Sequence, residues 1–255
     1  MDTRQFKEII TKLFPEKLLQ EFDDDYGFIY EANRSIQRIG YATNLSLEVI
    51  EDAHKSGVDL IVTHHDAWDF LYGLREACVD KLREYKISSF YIHAPLDFVE
   101  FGTSTSLMNV IGVNVERYSI YDGGDLPGIG LCNPPISFES LLQSMRTSLQ
   151  EPVRGWKNHD QPVKRVGILT GAGHTTDHLK WALEQGCDTY ITGEATLYGI
   201  QYASFVRMNL IAGSHTFTEI FGVRTLAERI KELNPMVELV EIREAHFELN
   251  HGKGV

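Results

Sequence analysis

The sequence predicts an α/β protein built as two similar lobes with mostly parallel sheets, on three observations. From Arg38 onward, short β-rich runs alternate with amphipathic helical stretches. The same strand–helix–strand phrase returns in the second half, which reads as a diverged internal repeat. Residues able to do chemistry gather where the apolar runs end, the place where parallel α/β sheets carry their ligands.

The elements follow in order. Phe6, Ile9, Ile10, Leu13 and Phe14 fall at helical spacing before Pro15 and predict an opening amphipathic helix. Ile39-Gly40-Tyr41-Ala42 predicts a strand, with a helix cap at Asn44 or Ser46. The helix carrying Leu47, Val49, Ile50 and Ala53 stops at Gly57. Val58 to Thr63 is long enough for a buried strand. A further strand, Ser89-Phe90-Tyr91-Ile92-His93, is followed by Asp97. The Pro- and Gly-rich stretch from Asp122 to Pro135 and a helix from about Ser137 separate the copies, giving lobes 1–125 and 126–255. In the second copy Arg165-Val166-Gly167 answers Arg38-Ile39-Gly40, and Gly186-Cys187-Asp188 answers Gly57-Val58-Asp59. Thr192-Gly193-Glu194 stands where the first copy has Thr63-His64-His65. The His93/Asp97 spacing returns as His215/Glu219, at the head of a helix striped by Ile220, Val223, Leu226, Ala227 and Ile230. The tail from His251 to Val255 reads as frayed.

Composition removes several classes of function. The 255 residues are 43 % hydrophobic and 24 % charged, as in an ordinary globular protein, and no run is apolar enough for a membrane span. The opening residues show no basic segment followed by an apolar run, so no signal peptide is visible and a cytoplasmic location is expected. Three separated cysteines, Cys78, Cys132 and Cys187, argue against a disulfide scaffold and a thiolate zinc site. A net charge of −12 with singly scattered basic residues disfavours nucleic acid as a partner. There is no Gly-x-Ser-x-Gly elbow and no Walker loop. Gly171-Ala172-Gly173 fails as a dinucleotide fingerprint because the third glycine position holds Thr176.

What remains points to metal. His64 and His65 end an apolar strand; alone they also fit a hydrogen-bonded pair at a strand end, since neighbouring side chains of an ideal strand point to opposite faces. His215 and Glu219, four apart on a helix, project side by side and can close on one cation, or act as a capping pair. Asp97 sits in a loop that Pro95 stiffens, which would preorganise its carboxylate, or serves as a turn or cap ahead of Gly102-Thr103-Ser104-Thr105. Imidazole and carboxylate together suit zinc, iron, manganese or nickel. Carboxylates at two such sites can bridge two ions lying about 4 Å apart. His93 is a ligand by the repeat or an orienting partner; with His174 it is a candidate for moving a proton. His159, His178, His246 and His251 read as surface residues.

Thr63-His64-His65, His93-Ala94-Pro95-Leu96-Asp97, Thr192-Gly193-Glu194 and His215-Thr216-Phe217-Thr218-Glu219 together resemble the Nif-three-like family over nearly the whole chain. Its members are also called dinuclear metal-centre hexameric proteins and GTP cyclohydrolase I type-two homologues. The resemblance implies two α/β lobes with a metal site in the cleft between them, two divalent transition-metal ions per chain on His64, His65, Asp97, His215 and Glu219, and a toroidal homohexamer. The chain departs from the family pattern at Asp25-Tyr26-Gly27-Phe28, at Tyr198 in place of a histidine, and at Ser214 in place of a glycine. The function expected is a metal-dependent hydrolase acting on a small metabolite or nucleotide. The alternative is a non-catalytic metal-binding assembly for metal handling or protein–protein interaction, whose ions would have a closed coordination shell.

Overall fold

A computed structural model describes residues 1–246 and Glu248. The stretch from His251 to Val255 lies outside the described residues. The chain divides into two compact units, Met1–Val99 with Val223–Ala245, and Glu100–Gly222 with His246–Val255. These divisions fall elsewhere in the chain than the lobes read from the repeat.

The first unit opens with α1 (Thr3–Leu13), whose start is fixed by a capping box between Asp2 and Gln5, and α2 (Glu16–Glu21). Then come β1 (Tyr26–Tyr30), β2 (Arg38–Asn44), α3 (Leu47–Lys55), β3 (Leu60–His65), α4 (Leu74–Tyr85), β4 (Ser88–Ile92) and the one-turn α5 (Ala94–Asp97). Ser46 caps α3 through the Val49 N–H, and Gly57, at φ +68°, takes the left-handed turn that ends it. Every residue of β3 is buried, so its β-branched and leucine side chains face apolar layers on both sides of the sheet.

In the second unit α6 (Thr103–Val110) leads to β5 (Asn114–Arg117), the short pair β6 (Ile120–Tyr121) and β7 (Asp125–Leu126), and β8 (Gly128–Ile136). These are followed by α7 (Phe138–Leu149), β9 (Arg154–Trp156), β10 (Val163–Leu169), α8 (Thr176–Glu184), β11 (Thr189–Thr192), α9 (Leu197–Phe205), β12 (Asn209–Ala212) and the start of α10 (His215–Leu233), which from Val223 belongs to the first unit. The Pro- and Gly-rich stretch expected to be a separator is therefore largely strand: β8 pairs antiparallel with β10 as well as with β5. The helix expected from Ser137 is there, with Ser137 as its cap.

The last strand, β13 (Glu238–Glu241), returns to the first unit and pairs parallel with β2. The first sheet thus runs β1-β4-β3-β2-β13, parallel except for the edge strand β1. The second runs β5-β8-β10-β11-β12-β9, with a parallel centre of β10, β11 and β12 flanked by antiparallel strands. Both centres begin the same way. Asp59 Oδ2 accepts from the Gln37 and Arg38 N–H groups at 2.8 and 2.9 Å, and Asp188 Oδ2 accepts from Lys164 and Arg165 at 2.9 and 3.1 Å. The repeated Gly-x-Asp phrase is a tie between strand starts.

Candidate metal centre

In the first unit His64, His65 and His93 stand at strand carboxyl ends, and each is held by its Nδ1. His64, fully buried, lies 3.0 Å through Nδ1 from the Ile92 carbonyl oxygen at the end of β4; a carbonyl only accepts, so Nδ1 carries the proton. His65 Nδ1 is 2.7 Å from Asn44 Oδ1. The Asn44 side-chain nitrogen donates to Glu244 at 2.7 Å, which leaves the amide oxygen facing His65. His93 Nδ1 is 2.8 Å from Asp25 Oδ2, which also accepts from the Ala94 N–H. Burial works to raise the Asp25 carboxyl, but the His93 hydrogen bond and charge with the Ala94 N–H hold it below the usual carboxylate value.

These ties make Nε2 the basic nitrogen in each ring, the tautomer that metal-binding histidines take when an outer oxygen orients them. One ring nitrogen from each of His64, His65 and His93 lies within 4.8 Å of the others. The expected strand alternation therefore does not separate His64 from His65: their ring centroids are 4.6 Å apart. Asp97, on the single turn of α5, places Oδ1 3.5 Å from His64 Nε2.

The second unit holds a smaller set built the same way. His215 opens α10 and Glu219 follows one turn on, its Oε2 3.4 Å from His215 Nε2. His215 Nδ1 lies 2.7 Å from Glu194 Oε1, just past β11, and Glu194 Oε2 is 3.1 Å from His174 Nδ1. Burial would lower the His215 pKa, but Glu219, Glu194 and Glu248 outweigh it and raise it to about 9. Three carboxylates thus draw positive charge to this imidazole. The hydrogen bond to His215 in turn lowers Glu194 against its own burial.

Space around the pair is made by glycine. Gly171 has φ +59°, and a Cβ there would strike Glu219 Oε1 and come within 2.8 Å of His215 Nε2. The Gly171 N–H donates to Thr218 Oγ1 at 3.1 Å, tying the turn to α10. The start of α10 is pinned by buried Glu151, which accepts from the Ser214 N–H and hydroxyl at 2.8 and 2.9 Å. The residues fit a cation: oriented imidazoles, carboxylates beside them, and a side-chain-free wall.

All seven residues singled out for metal or proton chemistry are accounted for. His64, His65, His93 and Asp97 lie in the first unit, and His174, His215 and Glu219 in the second. Asp25, Asn44, Glu194 and Glu244 were not singled out. Glu194 was within reach, since it occupies the His65 position of the repeat. Among the histidines expected at the surface, His159, His178 and His246 are half-buried. His159 Nε2 donates to the Asp188 carbonyl at 3.0 Å, and His246 Nδ1 is 3.2 Å from Glu151.

Comparison with known proteins agrees over the length of the chain. The family model described as Duf34/NIF3 (NGG1p interacting factor 3) matches residues 1–247. The GTP cyclohydrolase 1 type 2 homolog of Pyrococcus horikoshii is 27 % identical over 216 residues, which are 81 % of this chain and 84 % of that one. The protein of the same name from Haemophilus influenzae is 25 % identical over 246 residues, 91 % and 96 % of the two chains. Among solved structures, reduced HcgD from Methanocaldococcus jannaschii superposes with a TM-score of 0.79 at 25 % identity, covering 96 % of this chain and 98 % of its own. A Bacillus cereus protein related to NIF3 has the same fold, with a TM-score of 0.77 at 14 % identity over 95 % and 97 % of the chains.

Proposed function

This chain belongs to the Duf34/NIF3 family, and from that premise we propose that it is a dinuclear metal-binding protein working as a metal-dependent hydrolase on a small metabolite or nucleotide. The observation that carries the reading is the uniform treatment of the imidazoles. His64, His65, His93 and His215 each give Nδ1 to an oxygen acceptor, which fixes Nε2 as the nitrogen a cation takes. A structural histidine has no need of that uniformity.

The proposed ligands are His64, His65, Asp97, His215 and Glu219, and the ions are two divalent transition metals from among zinc, iron, manganese and nickel. Such ions would supply an acidified water near neutral pH and polarise an acyl or phosphoryl oxygen. The protein groups do the rest. Asp25 and Asn44 hold the His93 and His65 rings, Glu194 holds His215, and His174, 3.1 Å from the other oxygen of Glu194, would pass a proton toward solvent. Five protein ligands across two ions leave coordination positions for substrate, which favours hydrolysis over a closed, non-catalytic site. The relatives' name, GTP cyclohydrolase 1 type 2 homolog, also denotes a hydrolytic ring opening. A cytoplasmic homohexamer completes the proposal.

Elemental analysis of protein purified without chelators or a polyhistidine tag tests it, on wild type and on the His65→Ala and Glu219→Ala variants. About two transition-metal ions per chain in the wild type, lost in both variants, is the expected result. Wild-type protein that stays empty after addition of zinc, iron and manganese would overturn the reading.

A further inference from the structure

Between His65 and α4 the chain makes a short loop, Asp66 to Gly73, whose side chains are unusual for a surface. Trp68, Phe70 and Tyr72 alternate along it, with Phe70 67 % and Tyr72 94 % exposed. The loop is nevertheless firmly based. Buried Asp66 pairs with the Arg75 guanidinium, which also reaches Asp69 Oδ1 at 3.6 Å. The Leu71 N–H bonds to the Trp68 carbonyl at 2.9 Å, and Gly73, at φ +84°, turns the chain into α4. These contacts fix the base of the loop and so the arrangement from which its rings project.

That arrangement is continuous with the histidine group. The Trp68 indole stands edge-on to His93, centroids 5.4 Å apart at 72°, and is 6.4 Å from the His65 ring. Phe70 extends the indole outward, 6.0 Å away and within 12° of parallel. A ligand held at His65 and His93 thus abuts a ledge of π-faces rather than hydrogen-bonding groups. Flat rings gain from offset or edge contacts that a puckered ring of equal size does not make.

We infer that the Trp68–Phe70 ledge is a binding subsite for the planar aromatic or heteroaromatic part of the substrate, whose reactive group lies at the histidines. The inference rests on the metal-centre reading above and narrows its substrate class. Contact of Trp68 with the proposed ligand His65 and with His93 favours a small substrate over a macromolecule as the occupant.

The test uses metal-loaded protein and three hydroxamates with one anchoring group: acetohydroxamate, benzohydroxamate and cyclohexanecarbohydroxamate. Their dissociation constants are measured by calorimetry. Wild type is expected to bind benzohydroxamate roughly five- to tenfold tighter than the cyclohexane compound. Trp68→Leu should lose that preference while keeping its metal content and its affinity for acetohydroxamate. Failure of acetohydroxamate to bind overturns the metal-centre reading and this inference with it. Binding of acetohydroxamate with no preference for the flat ring in wild type overturns the ledge alone, and that arm needs no variant. A preference that survives in Trp68→Leu also overturns it. So does dissociation of an oligomer by Phe70→Ser with the ring preference intact, because the ledge would then be a contact between copies.

Discussion

His215 shows most directly how single residues set the chemistry. Its pKa of about 9 means that, without a cation, the imidazole carries a proton at neutral pH among Glu194, Glu219 and Glu248. A divalent ion at Nε2 must displace that proton, so metal binding at pH 7.5 is expected to release it. Calorimetric titration in two buffers of different ionisation enthalpy measures the release, and buffer-independent heats would contradict it. The same shift bears on stability. A histidine whose folded pKa lies above its unfolded value stabilises the fold fully below about 6.5, and the contribution fades as pH rises through about 9. Denaturant midpoints of metal-free protein should therefore fall over that window, and Glu194→Gln, which removes one of the attracting charges, should flatten the fall. The outer oxygens make a parallel prediction: Asn44→Ala frees the His65 ring to rotate, and competition with a chelating dye should show metal affinity down about 10- to 100-fold. Unchanged affinity would mean that β3 alone orients the ring. The ligand-type residues were legible beforehand because His64-His65 and His215/Glu219 are local in the sequence. Asn44 and Glu244 were not, because they meet through the pairing of β2 with β13 and no local spacing announces it.

The elements carry these residues by a few backbone devices. Gly-x-Asp closes a helix with a left-handed glycine and ties two strand starts with the aspartate, in both units. That device was readable from the repeat, and it sets the register that brings β3, β4, β11 and β12 to their polar ends. The turn at Gly171 was readable only as a failed dinucleotide fingerprint; its purpose lies in the space beside Glu219. Gly171→Ala would put a methyl group against Glu219 and His215 and force a left-handed alanine, at about 1–2 kcal/mol. Metal content should fall much further than thermal stability, as elemental analysis beside a melting curve would show. A parallel fall in both would make the turn a structural element first. The strand character of Gly128–Ile136 was not legible, because its prolines and glycines signal turns; Asn133, Pro134 and Pro135 are tolerated where the strand runs out exposed beyond its apolar first half.

At the scale of the whole molecule, the same tie between strand starts recurs in the two units, and Val223–Ala245 belongs to the first unit although it lies at the end of the half read as the second copy. No described helix is long and apolar enough to cross a membrane, yet α9 turns Leu197, Tyr198 and Phe205 outward at 64 %, 71 % and 83 % exposure. Its inner side is closed by the buried small residues Gly199 and Ala203 and by Ile200 and Tyr202, which pack against the core of its unit. A net charge of −12 does not cover these apolar side chains. Three large apolar side chains exposed on one short helix suit a protein contact, and in the proposed homohexamer they have a natural use. Wild-type protein at micromolar concentration is therefore expected to sediment as a hexamer, and Leu197→Ser with Phe205→Ser to shift it to smaller species with the proposed metal ligands untouched. A hexamer indifferent to both substitutions would place the subunit contact elsewhere and leave α9 to another partner. A wild-type monomer would remove the hexamer from the proposal while leaving each unit's histidine and carboxylate geometry as it stands.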